Sequence, residues 1–126
     1  MSRRIKSDLN RAAASVLPPF KMSAYNPHRG DVKIALGENE FVLRPSFSAI
    51  VALEEHFGCG IFDLAREFCE GKRARAKDLL HIMKAGIEGA GFDPPEDLPQ
   101  RMVDAGLASC IEPIGKFLAH ACGIKT

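Results

Sequence analysis

The chain has 126 residues, 46% of them hydrophobic, which suffices for one domain with a modest single core. A formal net charge of +1 gives the whole molecule no electrostatic bias toward nucleic acid or an anionic membrane. No apolar run is long enough to span a bilayer. Together with the near-neutral net charge, this means that neither nucleic acid nor a membrane is expected as a partner.

Residues 1–24 are interpreted as an N-terminal extension to a domain that occupies residues 25–126. Arg3-Arg4 faintly resembles the start of a twin-arginine signal, but charged and polar residues interrupt the apolar stretch that export requires. We expect a flexible tail or a weak helix over about residues 7–16, ended by the following prolines. Met22 is a second plausible start, and a chain that begins there is expected to fold.

A β-hairpin is predicted over residues 31–45. Apolar and polar residues alternate in both halves of this stretch, which is the spacing of strands with one buried face. Gly37 and Asn39 favour a tight reversal between the halves. Pro45 has no N–H to donate and should end the second strand. A two-stranded hairpin is marginal alone, so its apolar face must pack on helices.

Four to five helices are predicted after the hairpin, which gives a mainly α fold with an N-terminal hairpin (α+β) in one small domain. Their expected positions are residues 46–57, 61–70 and 74–90, a short helix that ends at 105, and a last helix that ends at 122. Gly86 and Gly89 should permit close approach by a neighbour. Asp97 and Gln100 resemble a capping box, and Pro113 should lie in the first turn of the last helix or bend it.

Helical periodicity predicts which side chains face the core. The first helix is expected to bury Phe47, Ile50, Val51, Leu53 and Phe57; the second Ile61, Phe62, Leu64, Ala65, Phe68 and Cys69; the last Cys110, Ile111, Ile114, Phe117, Leu118 and Ala121. Glu54 lies inside the first of these arcs, where a carboxylate must find donors. We interpret it as a structural anchor, bonded to backbone amides or to an arginine such as Arg44 or Arg66, rather than as a catalytic group.

The sequence offers no convincing catalytic, metal or cofactor site. Cys59, Cys69, Cys110 and Cys122 fall on helices and are expected to be free, buried thiols of a reduced compartment. His56 with Cys59 and His120 with Cys122 lack the paired spacing of a zinc site. The basic cluster at residues 72–77 has acidic neighbours and no interleaved aromatics, so it is interpreted as a solvated linker.

The order of these pieces resembles a known family. The resemblance rests on the stretch from Asn26 to Val32, the hairpin, the helix that ends in Phe57-Gly58, the helix that begins Ile61-Phe62-Asp63-Leu64-Ala65, and residues 77–91. Over residues 25–122 the chain is similar to the small tail assembly chaperone of gene transfer agents and related long-tailed phages and prophages.

This resemblance implies a non-enzymatic role in tail assembly, in the cytoplasm of a bacterial host. The implied partners are the tape measure protein, other tail proteins and a second copy of the chain, with no cofactor. A long helical partner exposes apolar stripes that a small helical protein can cover by helix-in-groove packing. A structural minor tail or connector subunit retained in the particle stays open as the alternative, as does a small enzyme, which would need a preorganised polar pocket.

Two helices carry the candidate contact residues for such a partner. They are Leu79, Leu80, Met83 and Ile87 on the third helix and Ile114, Phe117 and Leu118 on the last. The same seven side chains could instead complete the core, and the sequence does not separate the two interpretations.

Overall fold

The computed structural model describes residues 25–124. Within that range a 3-10 turn at Pro27–Arg29 leads into strands β1 (Val32–Leu36) and β2 (Asn39–Leu43). The helices that follow are α1 (Phe47–Phe57), α2 (Ile61–Cys69), α3 (Ala76–Gly89), α4 (Leu98–Ala105) and α5 (Ile111–Ala121), with a 3-10 turn at Leu107–Cys110 before α5. The predicted fold class, mainly helical with an N-terminal hairpin, is confirmed. The extension at residues 1–24 lies outside the described part of the chain.

The two strands form an antiparallel hairpin in which Val32 lies opposite Leu43 and Leu36 lies opposite Asn39. The inner face of the hairpin is apolar because Val32, Ile34 and Leu36 alternate toward the core. This face and the strand edges pack against α3, α4 and α5. Four other residues form what we call the outer face of the hairpin: Lys33, Ala35, Glu40 and Val42.

Close contact between the hairpin and α3 depends on two helical glycines. The Arg44 N–H donates to the Gly86 carbonyl over 3.0 Å, directly after β2 ends. A Cβ atom on Gly86 would lie 2.9 Å from the Leu43 Cβ, and one on Gly89 would collide with the Arg44 carbonyl oxygen. The predicted close approach at both glycines is therefore confirmed.

Helix boundaries follow local chemistry. The Ser46 hydroxyl accepts a hydrogen bond from the Ala49 N–H and caps α1, which ends at Gly58 with a positive φ of 71°. Pro113 is the third residue of α5, in the first turn, where its missing N–H costs no helical hydrogen bond. The predicted capping box at α4 is wrong, because the Asp97 carboxylate makes no cap bond and instead accepts from Arg101 Nε at 2.8 Å.

Three large apolar side chains predicted to face the core are exposed instead. Phe47 is 81% exposed and Phe62 is 69% exposed, each in the first turn of its helix. Ile111, the first residue of α5, is 38% exposed. Periodicity shows which face of a helix a residue lies on, and it does not show which positions on that face a neighbouring element covers.

None of the helices in residues 25–124 combines the length and apolar character needed to cross a membrane.

Candidate partner-binding groove

The seven predicted contact residues are mostly interior. Six are at most 2% exposed: Leu79, Met83, Ile87, Ile114, Phe117 and Leu118. Leu80 is half-buried and packs against the same core. A side chain already surrounded by its own domain cannot also contact a partner in this conformation. In this conformation these six residues complete the core, and a contact of any of the seven with a partner stays a prediction.

Glu54 is half-buried and its carboxylate links α1 to the start of α2. Its Oε2 accepts a hydrogen bond from the Ile61 N–H at 2.9 Å. The N-cap residue of α2 is Gly60, which has no side chain to satisfy that amide. Glu54 thus supplies from α1 the cap that α2 lacks. Of the partners considered from the sequence, the structure selects a backbone amide rather than Arg44 or Arg66.

A concave surface lies between the start of β1 and α5, where residues from both ends of the described chain meet. Its volume is about 620 Å³. We call it the α5 groove, and its lining residues are Tyr25, Pro27, His28, Arg29, Gly30, Asp31, Val32, Lys33, Glu112, Pro113, Lys116, His120 and Ile124. A volume of this size falls within the usual range for binding pockets.

Local hydrogen bonds fix the wall formed by the turn before β1. The Asn26 side chain accepts from the His28 N–H, and Gly30 ends the turn with a positive φ of 80°. The Asn26 N–H donates to Asp31 Oδ2 at 2.7 Å. His120 Nδ1 lies 3.0 Å from the Gly30 carbonyl oxygen and ties this turn to α5. Hydrogen bonds therefore fix the backbone that forms this wall of the groove.

The chemistry of the α5 groove is mixed apolar and cationic. Tyr25, Pro27, Pro113 and Ile124 supply apolar surface, and Ile124 is 58% exposed. Arg29, Lys33 and Lys116 supply three positive charges, against the single exposed carboxylate of Glu112. The Lys33 Nζ lies 4.6 Å from the Tyr25 ring centre, a cation–π contact. Within residues 25–124 none of these three cations forms an ion pair.

The Asp31 carboxylate does not neutralise the positive charge of the α5 groove, because it already forms an ion pair with Arg44. Arg44 Nε donates to Asp31 Oδ1 at 2.7 Å and Nη2 donates to Oδ2 at 2.8 Å. The hydrogen bond to Asp31 raises the pKa of Arg44 above its ordinary value. The pair is a structural clasp behind the groove wall, and the groove presents its cations to solvent.

The remaining histidines and cysteines show no assembled chemical site. The His56 and His81 rings stack with centroids 3.6 Å apart. No cluster of three or more potential metal ligands occurs in the described part of the chain.

All four cysteines are free, as predicted, but Cys69 is exposed and so the prediction of burial is wrong for it. Burial raises the pKa of the Cys110 and Cys122 thiols, which makes them poor nucleophiles.

The basic cluster at residues 72–77 is engaged in local ion pairs. Arg73 Nε lies 2.7 Å from Glu67 Oε1, and its guanidinium stacks 5.6 Å from the Phe57 ring centre. Arg75 Nε lies 3.2 Å from Asp78 Oδ2 at the start of α3. These contacts fit a linker that joins α2 to α3.

Sequence reasoning missed the α5 groove, because its two cationic walls are far apart in the chain. Arg29 and Lys33 meet Lys116 only through the packing of β1 on α5. No periodicity or spacing within one element signals such a meeting.

Comparison with known proteins assigns the chain to a family. The sequence model of the family described as "Phage tail tube protein, GTA-gp10" matches residues 29–123. No curated protein and no solved structure matches the chain. The matched range covers both strands and all five helices of the described domain, and it contains most of the α5 groove. The chain therefore belongs to this family of phage and gene transfer agent tail proteins.

Proposed function

We propose that this protein is a non-catalytic tail assembly chaperone. In this proposal it binds the tape measure protein in the bacterial host cytoplasm and keeps it soluble while the tail tube forms. Membership of a phage tail family supports a role with other tail proteins. The resemblance of residues 25–122 to tail assembly chaperones supports the more specific role.

The observation that carries the proposal is the α5 groove. Its apolar lining suits one face of an amphipathic helix, and its three cations suit acidic residues beside that face. Charged groups of this kind steer association and fix register more than they add affinity. A chaperone that must later be displaced needs binding of this moderate kind, and repeated sites along a long partner would act together by avidity.

The polar groups around the groove support a binding role rather than catalysis. Asp31 is committed to Arg44, and His120 contacts the Gly30 carbonyl. Both side chains hold the groove wall in place. The proposed cycle consumes no nucleotide, since binding and displacement by tube subunits are sufficient.

A structural tail subunit is the second candidate, and the description of the family as a tail tube protein favours it. Such a subunit would remain in the finished particle, whereas a chaperone would leave it. Quantitative mass spectrometry of purified particles separates the two. We expect this chain to be absent or far below one copy per tube subunit; recovery at the stoichiometry of a tube protein would establish the structural role instead.

Variants of the groove test the proposed binding surface. Lys116→Glu reverses one groove cation, and Lys84→Glu makes the same change on an exposed position of α3 outside the groove. In pull-downs with the cognate tape measure protein, we expect Lys116→Glu to weaken binding about tenfold and Lys84→Glu to retain it. Equal binding by the two variants would remove the groove from the proposal.

A further inference from the structure

The outer face of the hairpin, formed by Lys33, Ala35, Glu40 and Val42, has no cover among residues 25–124. Lys33, Ala35 and Glu40 are exposed, and Val42 is half-buried. A two-stranded sheet is only marginally stable, and packing of its second face on another layer would stabilise it. This face is therefore a candidate surface for a partner.

The outer face carries opposite charges at its two ends. Lys33 lies opposite Val42 near the open end of the hairpin, and Glu40 lies opposite Ala35 nearer the turn. Lys33 and Glu40 are diagonal neighbours, whose Cα atoms are about 7–8 Å apart in antiparallel strands. Neither side chain forms an ion pair in the part of the chain that the structure describes. The face thus presents an unpaired cation and an unpaired carboxylate on either side of two apolar side chains.

A small hollow opens beside the acidic end of this face. We call it the β2 depression; its volume is about 160 Å³, and its lining residues are Glu40, Phe41, Val42, Ile87, Phe92 and Asp93. Pockets for small molecules usually exceed about 300 Å³, so the β2 depression suits one large apolar side chain. The exposed Asp93 carboxylate adds to the negative charge of Glu40 there.

An aromatic ring lies beside the cationic end of the face. Tyr25 is half-buried, and Lys33 Nζ lies 4.6 Å from the centre of its ring. Arg29 and Lys116 line the same groove as Lys33 and extend the positive charge. Each end of the surface therefore complements the other, with cations and an aromatic ring at one end and carboxylates and an apolar hollow at the other.

A surface with this pattern is complementary to a second copy of itself. A two-fold axis that lies between two facing copies brings the cationic end of each copy onto the acidic end of the other, so every contact occurs twice. Stacked sheets pack about 10 Å apart, a distance that a Lys and a Glu side chain from opposite layers span together.

We propose that two copies of the chain form a symmetric dimer through the outer faces of their hairpins. Lys33 of each copy pairs with Glu40 of the other, Ala35 and Val42 pack between the two pairs, and Tyr25 of each copy fills the β2 depression of the other. The aromatic rings supply most of the affinity, since exposed ion pairs contribute little and mainly fix orientation. Because Tyr25 and Lys33 also line the α5 groove, the dimer covers one edge of that groove. The dimer needs no tail protein, so its test stands apart from that of the proposed function.

Sedimentation velocity of the full chain over a range of concentrations tests the dimer. We expect a reversible monomer–dimer equilibrium, which Lys33→Glu should weaken at least about tenfold because two carboxylates then meet at both contacts. Lys77→Glu makes the same charge change at an exposed position in the first turn of α3, far along that helix from its contact with the hairpin at Gly86, and should leave the dissociation constant unchanged. A chain that stays monomeric, or a dimer that both variants affect equally, would overturn the proposal.

Charge exchange between two copies tests the pairing of Lys33 with Glu40. Glu40→Lys alone should also weaken the dimer, because like charges then meet at both contacts. An equimolar mixture of Lys33→Glu chains and Glu40→Lys chains should recover the dimer, since each contact again joins opposite charges. A mixture that sediments as monomers would overturn this pairing.

A second pair of variants tests the aromatic contact. Tyr25→Ala should weaken the dimer at least about tenfold, as expected for an aromatic side chain buried in a pocket. Phe62→Ala removes an exposed ring on α2 and should leave the dissociation constant unchanged. Circular dichroism checks that each variant is folded. An unchanged dimer in Tyr25→Ala, or an equal loss in both variants, would overturn the placement of Tyr25 in the β2 depression.

Discussion

Asp31 and Arg44 close the open end of the hairpin with two parallel hydrogen bonds of 2.7 Å and 2.8 Å. The Asp31 side chain is 0% exposed and that of Arg44 is 16% exposed, so the carboxylate is held away from water. Asp31 directly precedes Val32 and Arg44 directly follows Leu43, which are the last paired residues of the hairpin. The clasp joins the hairpin to the turn before it, because Asp31 also accepts from the Asn26 N–H.

Removal of one partner of this clasp should be costly. Asp31→Ala leaves the Arg44 guanidinium and the Asn26 amide without their acceptor, and we expect a loss of about 3 kcal/mol in the free energy of unfolding. Asp63→Ala breaks the exposed pair with Arg66 and should leave the denaturation midpoint unchanged. Chemical denaturation of both variants is the measurement. Equal midpoints for the two would show that the buried pair stabilises the fold no more than the exposed pair does.

Two helical glycines should respond to alanine with opposite signs. Gly89→Ala places a methyl group against the Arg44 carbonyl and should destabilise by about 1–3 kcal/mol, despite the better helix propensity of alanine. Gly115→Ala in α5 meets its nearest neighbour at an ordinary 3.7 Å and should stabilise by about 0.5–1 kcal/mol. Thermal unfolding of each variant gives the sign. Stabilisation by both substitutions would contradict the close contact between the hairpin and α3.

Glu54 should stabilise the fold through the hydrogen bond that its carboxylate accepts. Glu54→Ala leaves the Ile61 amide without an acceptor and should lower the free energy of unfolding by about 1–3 kcal/mol. Glu54→Gln keeps an acceptor oxygen and should lose less. The neighbouring Glu55 is exposed, so Glu55→Ala serves as the control and should be neutral. Urea denaturation that finds Glu54→Ala as stable as Glu55→Ala would refute the capping role.

Stability should fall in mild acid partly because of His81. Burial lowers the pKa of His81, and the charges of His56, Lys77 and Lys84 lower it further, while Asp78 opposes them. The unfolded chain binds a proton at His81 near pH 6.5, whereas the folded protein binds it only at lower pH. The contribution of this group is therefore present above about pH 6.5 and is lost as pH falls toward the folded pKa.

Denaturation midpoints measured at intervals from pH 7.5 to 5 test this titration. His81→Gln cannot take up the proton and should show a flatter decline than the unmodified chain. An identical pH profile for the two proteins would assign the acid sensitivity to other groups.

Much of the fold was predictable because local signals agreed with it. Alternation, Gly37 and Pro45 define the hairpin, and its register then places Asp31 opposite Arg44, so their pairing could have been found from the sequence. The burial of Phe47 and Phe62 was overestimated because periodicity reports which face a residue lies on, and not where the covering element ends. The seven proposed contact residues illustrate the same limit, since a core stripe and a binding stripe share one spacing.

The α5 groove could not be predicted, for a different reason. Its lining comes from the turn before β1, from Lys33 and from α5, which only the tertiary packing brings together. Lys116 read alone is a solvent-facing cation on an amphipathic helix. Lys116 becomes part of a cationic surface only because Arg29 and Lys33 lie across the groove. No local sequence pattern connects residues so far apart in the chain.

The proposed role of this chain is to keep the tape measure protein soluble by binding it. The most direct measurement is the soluble fraction of the cognate tape measure protein expressed alone, with this chain, and with its Lys116→Glu variant. We predict a clear rise in the soluble fraction with the unmodified chain and a smaller rise with the variant, with no added nucleotide. An equal soluble fraction with and without the chain would contradict the proposed chaperone role and favour a structural subunit of the tail.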